Sequence, residues 1–282
     1  MKKLFKSERG SMAVYATGLT LTFIIILIAI FTLTSSIRKN QLQTELKIKE
    51  VYEQGLTSSG SGTAEEPTYI ADGLILHYDG INNTGNGHST TTNTWKDLSG
   101  NGNDGTLSKS LDGNSFYWAD NCIVLSNVAS TLQTYVTTPI NLNGKERTIS
   151  FTIDGTNLTG AVWADTNTDN AQGILCYQNF IANRGSSKST QIRYDYTFNK
   201  SGIYNYTVTL TASEMKFYEN GTLVNTMSNS IGLATSNNLR LLANYYANQN
   251  ATNLKMYNFM VYDRALTQDE IQTNYNALSK NL

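Results

Sequence analysis

The pattern that most limits this chain is a long succession of short β-type runs. They are LILHY (Leu74–Tyr78), CIVL (Cys122–Leu125), TISFTI (Thr148–Ile153), GILCYQ (Gly173–Gln178), QIRYDYTF (Gln191–Phe198), YNYTVTLT (Tyr204–Thr211), MKFYEN (Met215–Asn220), LRLLANYY (Leu239–Tyr246) and LKMYNFMVYD (Leu254–Asp263). Branched and aromatic side chains suit a pleated, half-buried surface, and Asn and Gly suit the turns between such runs. Many short strands with turns at this spacing pack as an antiparallel sandwich or jelly roll. The expected fold is therefore mainly β over residues 68–282, with a short helix at its end.

Three phrases refine this. WKDLSGNGNDGTL (Trp95–Leu107) concentrates Gly, Asn and Asp between two apolar residues. It reads as a tight turn whose ends, Trp95 and Leu107, enter the core while Asp97 and the glycines shape the bend. A metal reading of the same stretch would use Asp97, Asn101, Asn103 and Asp104. YENGTLV places Asn220-Gly221 between two runs, a hairpin signal. RALTQDEIQTNYNAL (Arg264–Leu278) is helical, with Thr267 and Glu270 spaced as a capping box.

In that order, WKDLSGNGNDGTL, MKFYENGTLV and LKMYNFMVYDRALTQDEIQTNY resemble the laminin-G-like, concanavalin A-like lectin/glucanase domains of bacterial surface proteins. The resemblance runs from Tyr69 to about Lys280. It implies a jelly-roll sandwich, and in many members calcium at its rim.

The amino terminus is different. Ser11–Ile37 contains no charged residue, Leu19–Leu33 within it is almost unbroken apolar, and Met12–Leu33 is 22 residues long, enough for the roughly 20 that cross a bilayer core. The leader carries Lys2, Lys3, Lys6 and Arg9 against Glu8, which keeps it cytoplasmic and sends the rest outside. Arg38–Gln54 has no Gly or Pro, so the helix is expected to continue as a stalk. Gly55–Pro67 is small and polar, a flexible spacer. The expected organisation is a basic leader over 1–10, membrane helix and stalk over 11–54, linker over 55–67, and the sandwich over 68–282. The start resembles type IV pilin and pseudopilin-like proteins, which implies cleavage between Gly10 and Ser11 and partnership with other pilin-like subunits. Tyr15 stands where that family usually has Glu. A plain signal anchor fits the same residues.

Composition excludes other classes. A net charge of −1 is no electrostatic footprint for nucleic acid. Two cysteines, Cys122 and Cys176, make no disulfide scaffold, and each lies in an apolar run as either a buried thiol or half of a pair. Paired carboxylates on one strand face, as glycoside hydrolysis needs, do not occur around Glu146, Glu214, Glu219, Glu270 or Asp195. His77 and His88 have no carboxylate or Cys cluster beside them. Calcium has one further candidate, Asp165, Asn167 and Asp169 in DTNTDN, although Asn170 stands where such a loop wants Gly. For a ligand, Trp163, Tyr245 and Tyr246 flank loops as candidate aromatic platforms. The expected function is non-catalytic binding or adhesion at the cell surface, to a glycan or a surface protein. The alternatives are a minor pilin-like subunit and a carbohydrate-active enzyme.

Overall fold

The computed structural model describes residues 68–80, 82–83, 89–113, 115–119, 121–126, 134–165, 173–185, 189–233, 238–244 and 251–280. All lie in the compact unit Glu66–Leu282. The leader, the membrane and stalk helix and the linker fall outside the described residues, as do Gly10 and Ser11. Among the described residues, no helix is long and apolar enough to cross a membrane.

The described strands form two eight-stranded sheets, with every pairing antiparallel. Sheet I runs β14 (Thr222–Ser228), β13 (Glu214–Glu219), β12 (Ile203–Leu210), β7 (Arg147–Asp154), β16 (Leu254–Tyr262), β5 (Ile123–Leu125) and β4 (Phe116–Trp118), and β1 (Leu74–Asp79) also pairs with β16. Sheet II runs β11 (Gln191–Asp195), β10 (Phe180–Arg184), β9 (Gly173–Tyr177), β8 (Ala161–Ala164), β15 (Asn238–Leu241), β6 (Val136–Asn141), β3 (Gly105–Leu107) and β2 (Thr94–Trp95). The helix α1 (Gln268–Ser279) closes the domain, with Thr267 as its N-cap and the Thr267–Glu270 capping box formed.

Alternation along each strand builds the core, because successive side chains leave a strand on opposite faces. In β7, Ile149, Phe151 and Ile153 point between the sheets while Thr148, Ser150 and Thr152 point outward. Rings join the layers. Phe151 and Phe259 of sheet I pack edge-on against Trp163 of sheet II at 5.8 and 6.3 Å. Tyr78 of β1 stacks on Trp95 of β2 at 5.2 Å. A buried ion pair adds a polar link: Arg147 Nη1 lies 2.7 Å from Asp165 Oδ2.

Each of the nine β-type runs contains a strand, and Asn220-Gly221 turns the β13–β14 hairpin with φ of +49° and +76°. Both angles are left-handed, as a twisted two-residue turn requires. Gly221 is fixed a second time by α1, since a Cβ there would stand 2.8 Å from Gln272 Oε1. The strands without a sequence signal are short, at two to five residues (β2, β3, β4, β8, β10), or interrupted by proline (β6). Pro139 cannot donate to a ladder, and the β15–β6 register shifts where it sits.

Candidate functional site

The glycine-rich loop between β2 and β3 is a staple. Asp97 Oδ1 accepts the backbone N–H groups of His77 and Ser99, each at 2.9 Å. Its Oδ2 accepts Ser99 Oγ at 2.8 Å and the Asn103 N–H at 2.9 Å. Asn101 and Asn103 donate their amides to the Leu74 and Ile75 carbonyls. Asp104 takes the Asp97 N–H and Lys96 Nζ. Trp95 and Leu107 are buried, and Gly100 and Gly102 have φ of +88° and +72°. The polar groups thus hold β1 of sheet I to the β2–β3 turn of sheet II. Donors saturate the Asp97 oxygens that a cation would need.

Two further candidates change role. Trp163 is fully buried between the sheets against Phe151 and Phe259, so it offers no surface for a ligand to stack on. Its strand places it inward, in register with Cys176 and Leu241, both core residues. Asp165 is also buried, and it is committed to Arg147 and to the Ile174 N–H at 2.6 Å rather than to a calcium loop. Asn167, Asp169, Tyr245, Tyr246 and His88 lie outside the described residues. Among the described residues, no three His, Cys, Asp or Glu side chains gather as a metal site would need.

His77 is buried rather than exposed, with Nε2 3.0 Å from Asn258 Nδ2, and burial lowers its pKa. Cys122 and Cys176 are both buried and are not joined as a disulfide. Of the acidic residues weighed for catalysis, four are held in ion pairs: Glu214 with Lys216, Glu219 with Lys200, Glu270 with Arg264 and Asp195 with Arg193.

The chemically distinctive surface is the outer face of sheet II. Strand register sets Arg193, Ala182, Leu175, Ala164 and Arg240 in one row across five strands. In the next row Phe180 faces Tyr177, and their rings stack with centroids 5.1 Å apart and planes 4° from parallel. In the row on the other side Arg184 faces Gln191, and its Nε donates to Gln191 Oε1 at 3.1 Å. The Arg193 guanidinium lies 3.8 Å from the Phe180 ring centroid and pairs with the exposed Asp195 carboxylate. Arg240 covers Tyr135 at 4.2 Å, and Asn244 Nδ2 donates to the Tyr177 hydroxyl at 3.1 Å. Burial of this surface lowers the Arg184 pKa, opposed by Tyr177 and reinforced by Arg193; burial likewise raises that of the Tyr177 phenol. The strands of sheet II carry three arginines and one aspartate. Ala164, Leu175, Ala182 and Phe180 are buried on this side, and the groups that remain at least partly exposed include the three arginines, Tyr177 and Gln191, a combination of cations, a phenol and an amide that suits polar or carboxylate ligands.

Sequence inspection passed over this face. The signal was present: FIANR and QIRYD each put an arginine on the face of period-two positions that also carries Phe180 or Gln191. It becomes visible only once the two runs are paired as a hairpin.

Residues 130–272, just over half of the chain, match the laminin-G-like family described as the concanavalin A-like lectin/glucanases superfamily. The chain belongs to that superfamily. Solved structures share the fold. The binding domain of botulinum neurotoxin DC, in complex with rat synaptotagmin II, is 21% identical with a TM-score of 0.52, covering 74% of this chain and 52% of that one. The binding domain of Paraclostridial Mosquitocidal Protein 1 is 18% identical with a TM-score of 0.50, covering 74% and 53%. Trypanosoma rangeli sialidase in complex with 2,3-difluorosialic acid is 13% identical with a TM-score of 0.52, covering 73% and 33%. The chain thus spans about half the length of the toxin domains it matches. No curated protein matches.

Proposed function

We propose that this chain is a non-catalytic binding or adhesion protein of the cell surface, anchored by its amino-terminal apolar segment, with the sandwich outside. The ligand is a glycan or a surface protein, met at the outer face of sheet II. The observation that carries this is the cluster on sheet II in which the half-buried Tyr177 stacks on a buried Phe180, with Arg193 covering the Phe180 ring and Arg184 beside it. Two comparisons favour it at the level of fold, which by itself does not determine function. Toxin binding domains use the same architecture, and the one from botulinum neurotoxin DC has been solved with rat synaptotagmin II and with SialylT. The test is a glycan-array screen of the full-length chain beside Tyr177→Ala. We expect binding to a defined glycan set that falls roughly tenfold in the variant, as loss of one stacking aromatic implies. Undiminished binding would move the site elsewhere. Turnover of a polysaccharide, lost on substitution of an Asp or Glu, would overturn the non-catalytic reading.

The leader favours a second reading, a minor pilin-like subunit. The mass of the mature chain decides it: a start at Ser11 supports processing before filament assembly, and an intact Met1 removes it.

A further inference from the structure

The outer strands of the two sheets are not guarded alike. An edge is kept from pairing with another chain by shortness, by charge or by a cover. In sheet II, β2 is two residues long, and β11 presents Arg193 and Asp195 to solvent. In sheet I, β4 is three residues long. The glycine-rich loop covers β1, where Asp97 Oδ1 accepts the His77 N–H and the Leu98 N–H donates to the His77 carbonyl at 2.8 Å. The remaining edge is β14. It is seven residues long, TLVNTMS, with no charge and no proline, and among the described strands only β13 pairs with it.

Two features make this edge receptive. Leu223 and Val224 are 44% and 42% exposed, two of the three large apolar residues so exposed among the described residues. Their cause is a bulge: Leu223 faces Tyr218 and Asn225 faces Phe217, so Val224 is an extra residue that the β13 ladder does not match. Beyond the bulge, the Thr226 N–H donates to its neighbour's side chain, Asn225 Oδ1, at 3.0 Å, a bond that a carbonyl of another strand can replace. The charges beside the edge cancel, since Glu214 pairs with Lys216 and Glu219 with Lys200. An acidic or basic peptide finds no counter-charge there, whereas a second copy meets no repulsion. An antiparallel edge is also complementary to itself about a two-fold axis, the commonest symmetry of soluble oligomers. We infer that β14 is a dimer interface, where a second copy of this chain adds its own β14 antiparallel and joins two copies of sheet I into one continuous sheet. An axis at Thr226 sets Val224 opposite Ser228 of the other copy. The inference stands apart from the ligand-binding reading, because it uses the edge of sheet I and not the face of sheet II.

The test is oxidative cross-linking of the full-length chain in detergent, where a disulfide locates the contact whatever the amino-terminal segment does. Cys122 and Cys176 are buried, so an introduced thiol reports alone. Residues opposite each other in an antiparallel pair stand about 5.5 Å apart at most, within disulfide reach. We expect Thr226→Cys to give a covalent dimer and Asp195→Cys, on the edge of sheet II, to stay monomeric. Adding Val224→Lys, which brings two like charges to the interface, should lower the Thr226→Cys yield about tenfold. Adding Ile203→Lys, an equally exposed site away from the edge, should leave the yield unchanged. Circular dichroism checks that each variant keeps its β signal, and Leu223→Lys replaces Val224→Lys if the latter does not. A Thr226→Cys yield no higher than that of Asp195→Cys would overturn the inference. So would a yield that survives lysine at both Leu223 and Val224, or one that falls equally with Ile203→Lys.

Discussion

The two outer faces of the sandwich are built from the same alternation but settle their polar groups differently. Sheet I turns Ser150, Thr152, Asn205 and Thr207 outward, and all four are buried. Asn205 Nδ2 donates to Ser150 Oγ and Thr152 Oγ1, each at 3.1 Å, and Thr207 donates to Ser150 at 3.0 Å. Towards one end, α1 covers the same face, with Ile271 packed among Tyr218, Met260 and Tyr262. Sheet II turns out aromatics and arginines, and Arg184 keeps donors that nothing in its own sheet accepts. Sheet I thus satisfies most of its outward polar groups within itself, with Asn258 Oδ1 an exception among the described residues. Under the binding reading proposed above, the difference separates a face that serves stability from one that meets a ligand, and substitutions should divide accordingly.

The largest expected effect lies under the helix. Ile271 is 1% exposed, so Ile271→Ala should lower the unfolding free energy by about 2–5 kcal/mol, read by chemical denaturation. A loss below about 1 kcal/mol would mean that α1 is an ornament of sheet I rather than part of its stability. Next comes the polar ladder. Asn205→Ala removes the donor to two buried hydroxyls and should cost about 1–3 kcal/mol. An unchanged midpoint would show that this face is hydrated and as open as its counterpart.

How far these features could be read from the sequence depends on how local their cause is. Thr267 and Glu270 announce the helix start within four residues, and Asn220-Gly221 announces its turn in two. The WKDLSGNGNDG phrase was legible for the same reason, since most of its hydrogen bonds close within the loop or onto nearby β1. Trp163 misled because a tryptophan beside an Asp/Asn-rich loop looks exposed, while its inward register is set by β9 and β15, one of them distant in sequence. Asp165 misled likewise, as its partner Arg147 lies across the sandwich. The sheet II platform needed the pairing of β9, β10 and β11 before its residues shared a face. Local capping and turn chemistry is written in the chain; a surface assembled from several strands emerges only with their register.

A smaller effect tests how α1 is fastened. Glu270 accepts both terminal nitrogens of Arg264, at 2.7 and 2.9 Å, and the Thr267 N–H at 2.8 Å. The Arg264 hydrogen bond, above all, holds its carboxyl down from the usual 4.5 to about 2. A folded-state value below the unfolded one means that the stabilisation is complete above pH 4.5 and lost as pH falls towards 2. The melting temperature should therefore drop across that window, and Glu270→Gln should remove part of the drop while costing about 1 kcal/mol at neutral pH. An identical acid profile in the variant would assign the drop to other carboxylates.

The smallest effect is the sharpest divider between the faces. Arg184 takes part in neither the core nor an ion pair among the described residues, and Arg193 is close enough to oppose its charge. If sheet II gives up stability to keep this cation ready, removing it should cost nothing. Arg184→Gln is expected to change the unfolding free energy by no more than about 0.5 kcal/mol, in contrast to the substitutions above in α1 and sheet I. Salt supplies an independent check. Raised ionic strength screens the Arg184–Arg193 repulsion, so it should stabilise the native chain slightly more than the variant. Should Arg184→Gln instead unfold the domain as Ile271→Ala does, the arginine would be a structural member of its sheet, and the two faces would differ in composition but not in purpose.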